Sequence, residues 1–143
     1  MSVESKKIAV VLCKQVVDLM NQLCLIFPEE NDFVLFRESI NWAMKNNPNM
    51  VAEQMIIHVY PHKDIIVAND DSFFATDKLI KSELENVDGN KNLIMDKFFR
   101  IKELWQKSLT EENKTIIWKF MNIFVVLCEK WYISKISKKN PKL

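Results

Sequence analysis

The chain has 143 residues, 48% hydrophobic and 27% charged, with one glycine and four prolines, a usage that excludes a disordered or low-complexity polymer. Twenty basic and nineteen acidic side chains leave a formal charge of +1, so no global field draws in nucleic acid or anionic lipid, and such a partner would need a local patch. The single glycine, Gly89, excludes the glycine-rich phosphate loops, nucleophile elbows and serial tight hairpins on which much small-molecule chemistry depends.

What remains is an all-α chain, long enough for one domain that removes roughly two-thirds of its unfolded surface from water. The first helix is expected from Ser2, a good N-cap, to about Ile26, where Phe27-Pro28 stops it. Its apolar positions, among them Ile8, Leu12, Cys13, Val16, Leu19 and Leu23, fill about 200° of the helical wheel, far more than an ordinary surface helix needs. The acids of Pro28-Glu29-Glu30-Asn31-Asp32 sit at the positive end of a second helix running to about Lys45, with Phe33, Phe36, Ile40, Ala43 and Met44 at helical spacing. Asn47 is read as the cap and Pro48 as the opening residue of a third helix, which carries Val51, Met55, Ile56 and Val59 and breaks at Tyr60-Pro61.

Beyond it, Ile65-Ile66-Val67 is too short to assign to helix or strand, and Asn69-Asp70-Asp71-Ser72 reads as a turn or cap. A short helix over 76–86 and a loop at Asp88-Gly89-Asn90 follow, the loop holding the one residue free to take left-handed geometry without strain. A helix over 92–107 gathers Leu93, Ile94, Phe98, Ile101, Leu104 and Trp105 in one arc. The last helix starts either from Thr110 as N-cap or from Ser108 in a capping box with Glu111, and runs to about Ser134. Its apolar arc covers about 220°. The expected architecture is therefore a compact single-domain bundle of five or six helices over 1–134, the first and last helices central, followed by a short basic tail over 135–143.

Candidate chemistry is sparse. Cys13, Cys24 and Cys128 lie in apolar runs without a CxxC pair and read as core thiols of a reducing, intracellular compartment. Cys13 and Cys24 lie roughly 16 Å apart along one helix axis and cannot share a metal or a disulfide. His58 and His62 have a zinc-like i, i+4 spacing, but Pro61 interrupts it and no third histidine exists. Asp64, Asp70, Asp71 and Asp77 lack the alternation and glycine of a calcium loop and read as caps. No nucleophile has a recognisable setting, so neither an enzyme nor a cofactor is expected; an enzyme would need a polar cleft, best sought near His58, His62, Asp64 and Asp70. Asn113-Lys114-Thr115 matches a glycosylation acceptor only by chance, being in the first turn of a helix. The apolar run 8–13 is too short for a secretory core, and the run 116–133 is interrupted by Lys119, Asn122, Glu129 and Lys130, so no transmembrane span is expected.

Two features point to partners. Trp118, Val125 and Tyr132 recur every seven residues along one margin of the last helix; they are either core or a protein interface, possessing the bulk of anchors. Lys135, Lys138, Lys139 and Lys142 form a basic tail that either solvates the terminus or contacts phosphates. Eighteen of the twenty cations are lysines, poor for bidentate base reading.

Two segments carry a resemblance: Asn47-Pro48 through Val59-Tyr60-Pro61-His62-Lys63 to Asp70-Asp71-Ser72-Phe73-Phe74, and Leu104-Trp105 through Leu109-Thr110-Glu111-Glu112 to Ile117-Trp118-Lys119-Phe120. They resemble uncharacterised short helical proteins of large nucleocytoplasmic DNA viruses of the algal-virus and giant-virus groups, and the Lys-, Asn- and Ile-rich usage suits an AT-rich genome. The resemblance implies a viral origin and a host-cytoplasmic or virion location, and it carries over no assigned catalytic or binding residues. Leu35-Phe36-Arg37-Glu38-Ser39-Ile40-Asn41-Trp42 is similar to the start of the first homology motif of the Bcl-2 apoptosis regulators, but Ala43-Met44 stands where that family has Gly-Arg, and Pro48 interrupts the apolar helix that should follow. The expected function is that of a non-enzymatic viral protein acting through contacts with virion, host or a second copy of itself. The alternatives are a nucleic-acid accessory protein using the basic tail, and a Bcl-2-like apoptosis modulator.

Overall fold

The computed structural model describes residues 3–70 and 103–139, with side chains at 4–70 and 103–136. All regular structure among the described residues is helical. In chain order it comprises α1 (Val3–Ile26), α2 (Asn31–Asn46), α3 (Pro48–His58), a 3-10 turn (Tyr60–His62), α4 (Lys63–Val67) and α5 (Glu111–Lys139). Residues 103–107 are also helical. The Ser2 cap, the helix over 76–86, the loop around Gly89 and the start of the 92–107 helix lie outside the described residues.

The chain divides into two compact units, residues 1–63 with 119–143, and residues 64–118. The first unit is a helical bundle in which α1 packs on α2 and α3. Its wide apolar arc is used: Ala9, Leu12, Cys13, Val16, Leu19 and Met20 are all buried. The later part of α5 supplies Phe124, Val125, Cys128 and Trp131 to the same core, and the first and last helices meet where the Ser134 hydroxyl lies 3.5 Å from that of buried Ser5. Two polar ties add direction. Arg37 of α2 donates to Asn21 of α1 at 3.0 Å, and the buried Trp131 indole N–H donates to the side-chain oxygen of Asn49, itself buried, at 2.8 Å.

By length and composition α1 meets the requirement for a membrane span over Glu4–Ile26, 23 residues with a mean hydropathy of 1.5 in its most apolar window, because averaging tolerates Lys14 and Asp18. Its packing on α2 and α3 makes α1 a core helix here, and no clear transmembrane span results.

In the second unit the apolar contacts described are aromatic. Trp105 and Trp118 meet edge to face with ring centroids 5.7 Å apart, and the Lys114 ammonium sits 5.5 Å from the Trp105 ring. Ile65-Ile66-Val67 is helix rather than strand, with Ile66 fully buried. The helix α4 ends in a Schellman closure, Asn69 N–H to Ile66 C=O at 3.0 Å and Asp70 N–H to Ile65 C=O at 3.2 Å. Asn69 has φ of 52°, so left-handed geometry is not reserved for the glycine; a short amide side chain tolerates it too.

Helix boundaries fall close to the breakers, but their chemistry differs in two places. Asn47 makes no side-chain cap bond to α3; its extended backbone, φ −160°, instead sends its N–H to Ala43 C=O, closing α2. Thr110 does cap α5, its hydroxyl oxygen accepting the Asn113 N–H at 3.1 Å. Finally, α5 continues through Lys139 rather than ending near Ser134, so part of the expected tail is helix; no residue breaks the helix before Pro141. The cap yields a direct test. Thr110→Ala should lower stability by about 0.5–2 kcal/mol in urea unfolding, whereas Ser108→Ala should leave it unchanged; the reverse ranking would put the capping box in its place.

Candidate functional site

A cavity of about 550 Å³ lies within the first unit. Each helix there contributes: Met20 from α1, Phe36 and Ile40 from α2, Met50 and Met55 from α3, Met121 from α5. The spacing of the sequence explains the convergence. Phe36 and Ile40 are one turn apart on α2, as Met121 and Phe124 are on α5, so each pair shows a neighbouring surface to the same space. Polar side chains in the lining are Ser39, Gln54 and His58. The Ser39 hydroxyl donates to its own helix, to Leu35 C=O at 3.1 Å. Gln54 and His58 are one turn apart on α3.

A second cavity, about 480 Å³, is lined by Ile56, Tyr60, Cys128, Glu129, Tyr132 and Ile133. At its edge the Glu129 carboxylate accepts the Tyr60 hydroxyl at 3.1 Å and pairs with Lys63 at 2.6 Å, while the Lys63 ammonium lies 5.7 Å from the Tyr60 ring centre. The Lys63 and Tyr60 donors hold Glu129 below the ordinary carboxylate range. Reciprocally, the hydrogen bond and charge of Glu129 hold Lys63 above the ordinary lysine range. Both groups are driven away from neutrality at pH 7, the opposite of what a general base or a nucleophilic amine requires. The cluster is a clamp between the Tyr60 turn and α5, still partly open to solvent.

The two buried thiols are held passive. Burial pushes the Cys13 thiol up to about 11 and, with the Glu129 charge adding to it, the Cys128 thiol up to about 12. Both side chains are fully buried, whereas Cys24 is only half-buried, and all three are free thiols.

The residues singled out from the sequence fall apart as a group. Trp118 and Val125 keep 4% and 3% exposure, whereas Tyr132 keeps 53%. The three do not form one margin facing solvent. Lys135 lies with its ammonium 5.1 Å from the Trp131 ring. The side chains of Lys138 and Lys139, and all of Lys142, lie outside the described residues. His58 ends α3 and His62 ends the following 3-10 turn, so their i, i+4 spacing is not that of one continuous α-helix.

Sequence reasoning missed the clamp and the cavity. Tyr60 and Glu129 are 69 positions apart, with no local motif to join them, and a cavity is a property of packing. The four methionines of the larger cavity, Met20, Met50, Met55 and Met121, were the available signal, since methionine fills irregular apolar space. In comparisons with known proteins, no protein-family model matches the chain, and no curated protein or solved structure matches it.

The clamp generates a pH prediction. Glu129, lowered in the folded state, contributes stability that is present above the ordinary glutamate value of about 4.3 and lost as pH falls through its folded value. The stability difference between wild type and Glu129→Gln should therefore be present at pH 7 and shrink under acid. In a carboxyl-carbon NMR titration, Lys63→Met and Tyr60→Phe should each raise the Glu129 midpoint, Lys63→Met by more; a midpoint indifferent to both would remove the clamp.

Proposed function

We propose that this is a non-enzymatic protein that acts through protein contacts, using the outward stripe of α2. Leu35 and Trp42 are 64% and 62% exposed, seven residues apart on one face of that helix. The two polar residues completing the stripe turn hydrogen-bonding capacity onto the helix itself: Ser39 donates to Leu35 C=O at 3.1 Å and Asn46 to Trp42 C=O at 2.8 Å. A solvent-facing tryptophan on such a stripe has the character of an interface anchor; its exposure is the observation that carries the reading. The helical period of the stripe, i, i+4, i+7 and i+11, suits an amphipathic helix of another protein as occupant. The resemblance to helical proteins of large DNA viruses supports a virion or assembly component, or a modulator of a host protein.

The expectation from the last helix changes accordingly. Surplus apolar surface motivates the reading as before, but with Trp118 and Val125 buried, the anchors are sought on α2. Affinity capture from cells that produce the protein should recover a stoichiometric partner with wild type and with Tyr132→Ala. Trp42→Ala, at an exposed position where folding should be little affected, should reduce that recovery at least tenfold. Equal recovery with a folded Trp42→Ala protein would sink the proposal, and loss of a dimer in sedimentation would replace the foreign helix by a second copy.

A further inference from the structure

We propose that the smaller cavity binds a neutral aromatic alcohol, its ring against Tyr60 and Tyr132 and its hydroxyl donating to Oε2 of Glu129. The volume, about 480 Å³, lies within the range of small-molecule sites and far above the voids of a close-packed interior. Around it stand Ile56, Cys128 and Ile133, with the two tyrosines and a single charged group, Glu129. All belong to the first unit. Tyr132 is 53% and Ile133 61% exposed, so an occupant would remove apolar surface from water. A flat ring suits this lining, because aromatic pairs gain from edge and offset contacts beyond the area they bury.

The polar end follows from the two oxygens of Glu129. Tyr60 donates to Oε1 at 3.1 Å and Lys63 pairs with the same oxygen at 2.6 Å, whereas among the described residues nothing donates to Oε2. An ionised carboxylate offers roughly four acceptor positions and no donor, so the clamp engages one oxygen and leaves the other. The Lys63 and Tyr60 donors keep this carboxyl ionised at neutral pH, and the ligand must therefore bring the donor. An anion would meet the Glu129 charge, and a cation would compete with Lys63 for it. A hydroxyl does neither, and its bond to a carboxylate is stronger than one between neutral groups. The site is independent of the α2 stripe, and Trp42 does not line it.

The test is calorimetric titration of the full chain at neutral pH with β-naphthol, its methyl ether, β-naphthoate and β-naphthylmethylammonium. The alcohol should bind saturably, with one site per chain. The ether, which lacks the donor, should bind roughly tenfold more weakly, and both ions should also bind more weakly than the alcohol. Glu129→Met should lower the alcohol to the affinity of the ether, a change that a merely apolar cavity would not show. Ile133→Trp, at an exposed lining position where folding should be little affected, fills the space and should abolish binding of both. Should that variant not fold, Tyr132→Ala should weaken the alcohol roughly fivefold by removing a ring contact. Trp42→Ala should leave all four titrations unchanged. No saturable binding, equal affinity for alcohol and ether, or undiminished binding of the alcohol in a folded Glu129→Met, Ile133→Trp or Tyr132→Ala protein would overturn the proposal. Tighter binding of the ammonium than of the alcohol would overturn it in favour of a site for organic cations.

Discussion

Burying an indole N–H without an acceptor is costly, and in the first unit the acceptor that meets this need ties the start of α3 to α5. Trp131 sits in the core on α5, and the acceptor at 2.8 Å is the side chain of Asn49, the second residue of α3. Leaving such a donor unpaired costs about 1–3 kcal/mol, comparable to a sizeable share of a small domain's total stability. Pro48, at the first position of α3, has a fixed φ and no N–H to satisfy, so it starts the helix next to Asn49 without adding another orphan donor. One hydrogen bond thus ties two segments 82 positions apart. Apolar packing alone, being non-directional, would leave the placement of α3 along α5 less determined.

The other features of this unit are arranged around that tie. The Tyr60–Lys63–Glu129 clamp joins the segment after α3 to α5 a second time. Its directions of titration keep both charges in place at neutral pH, which suits a fastening and not a proton-transfer site. With the start of α3 and the turn beyond its end both fastened to α5, the methionine-lined cavity is bounded by helices that have polar reasons to stay where they are. Such a frame supports a preformed pocket.

Much of the architecture was legible because helix punctuation is local. Phe27-Pro28, Asn47-Pro48 and Tyr60-Pro61 stop or start helices by proline geometry alone, and the boundaries at Ile26, Pro48 and His58 follow. The width of the first helix's apolar arc also correctly implied cover from more than one neighbour, which α2 and α3 provide. Cap chemistry was less legible. Asn47 looks like a cap but spends its backbone N–H on Ala43, whereas Thr110 caps with its hydroxyl. The same residue types serve either end of a helix, and backbone geometry decides between them.

Site residues were the least legible, for a different reason. Helical periodicity says which residues share a face but not what that face meets. Trp118, Val125 and Tyr132 share a spacing, yet two are buried and one stands in solvent. Conversely, no spacing sets Trp42 apart, yet it is among the more exposed large side chains. Asn49 carried no motif at all, though it is a buried polar residue whose partner comes from the far end of the chain.

The most direct test of this account is a double-mutant cycle on Asn49 and Trp131, read by urea unfolding. Asn49→Ala in the wild-type background should cost about 1–3 kcal/mol, because it leaves the indole N–H buried without this acceptor. In a Trp131→Phe background, where there is no N–H to strand, the same change should cost at least ~1 kcal/mol less. Equal costs in the two backgrounds would contradict the claim that this hydrogen bond ties the start of α3 to α5.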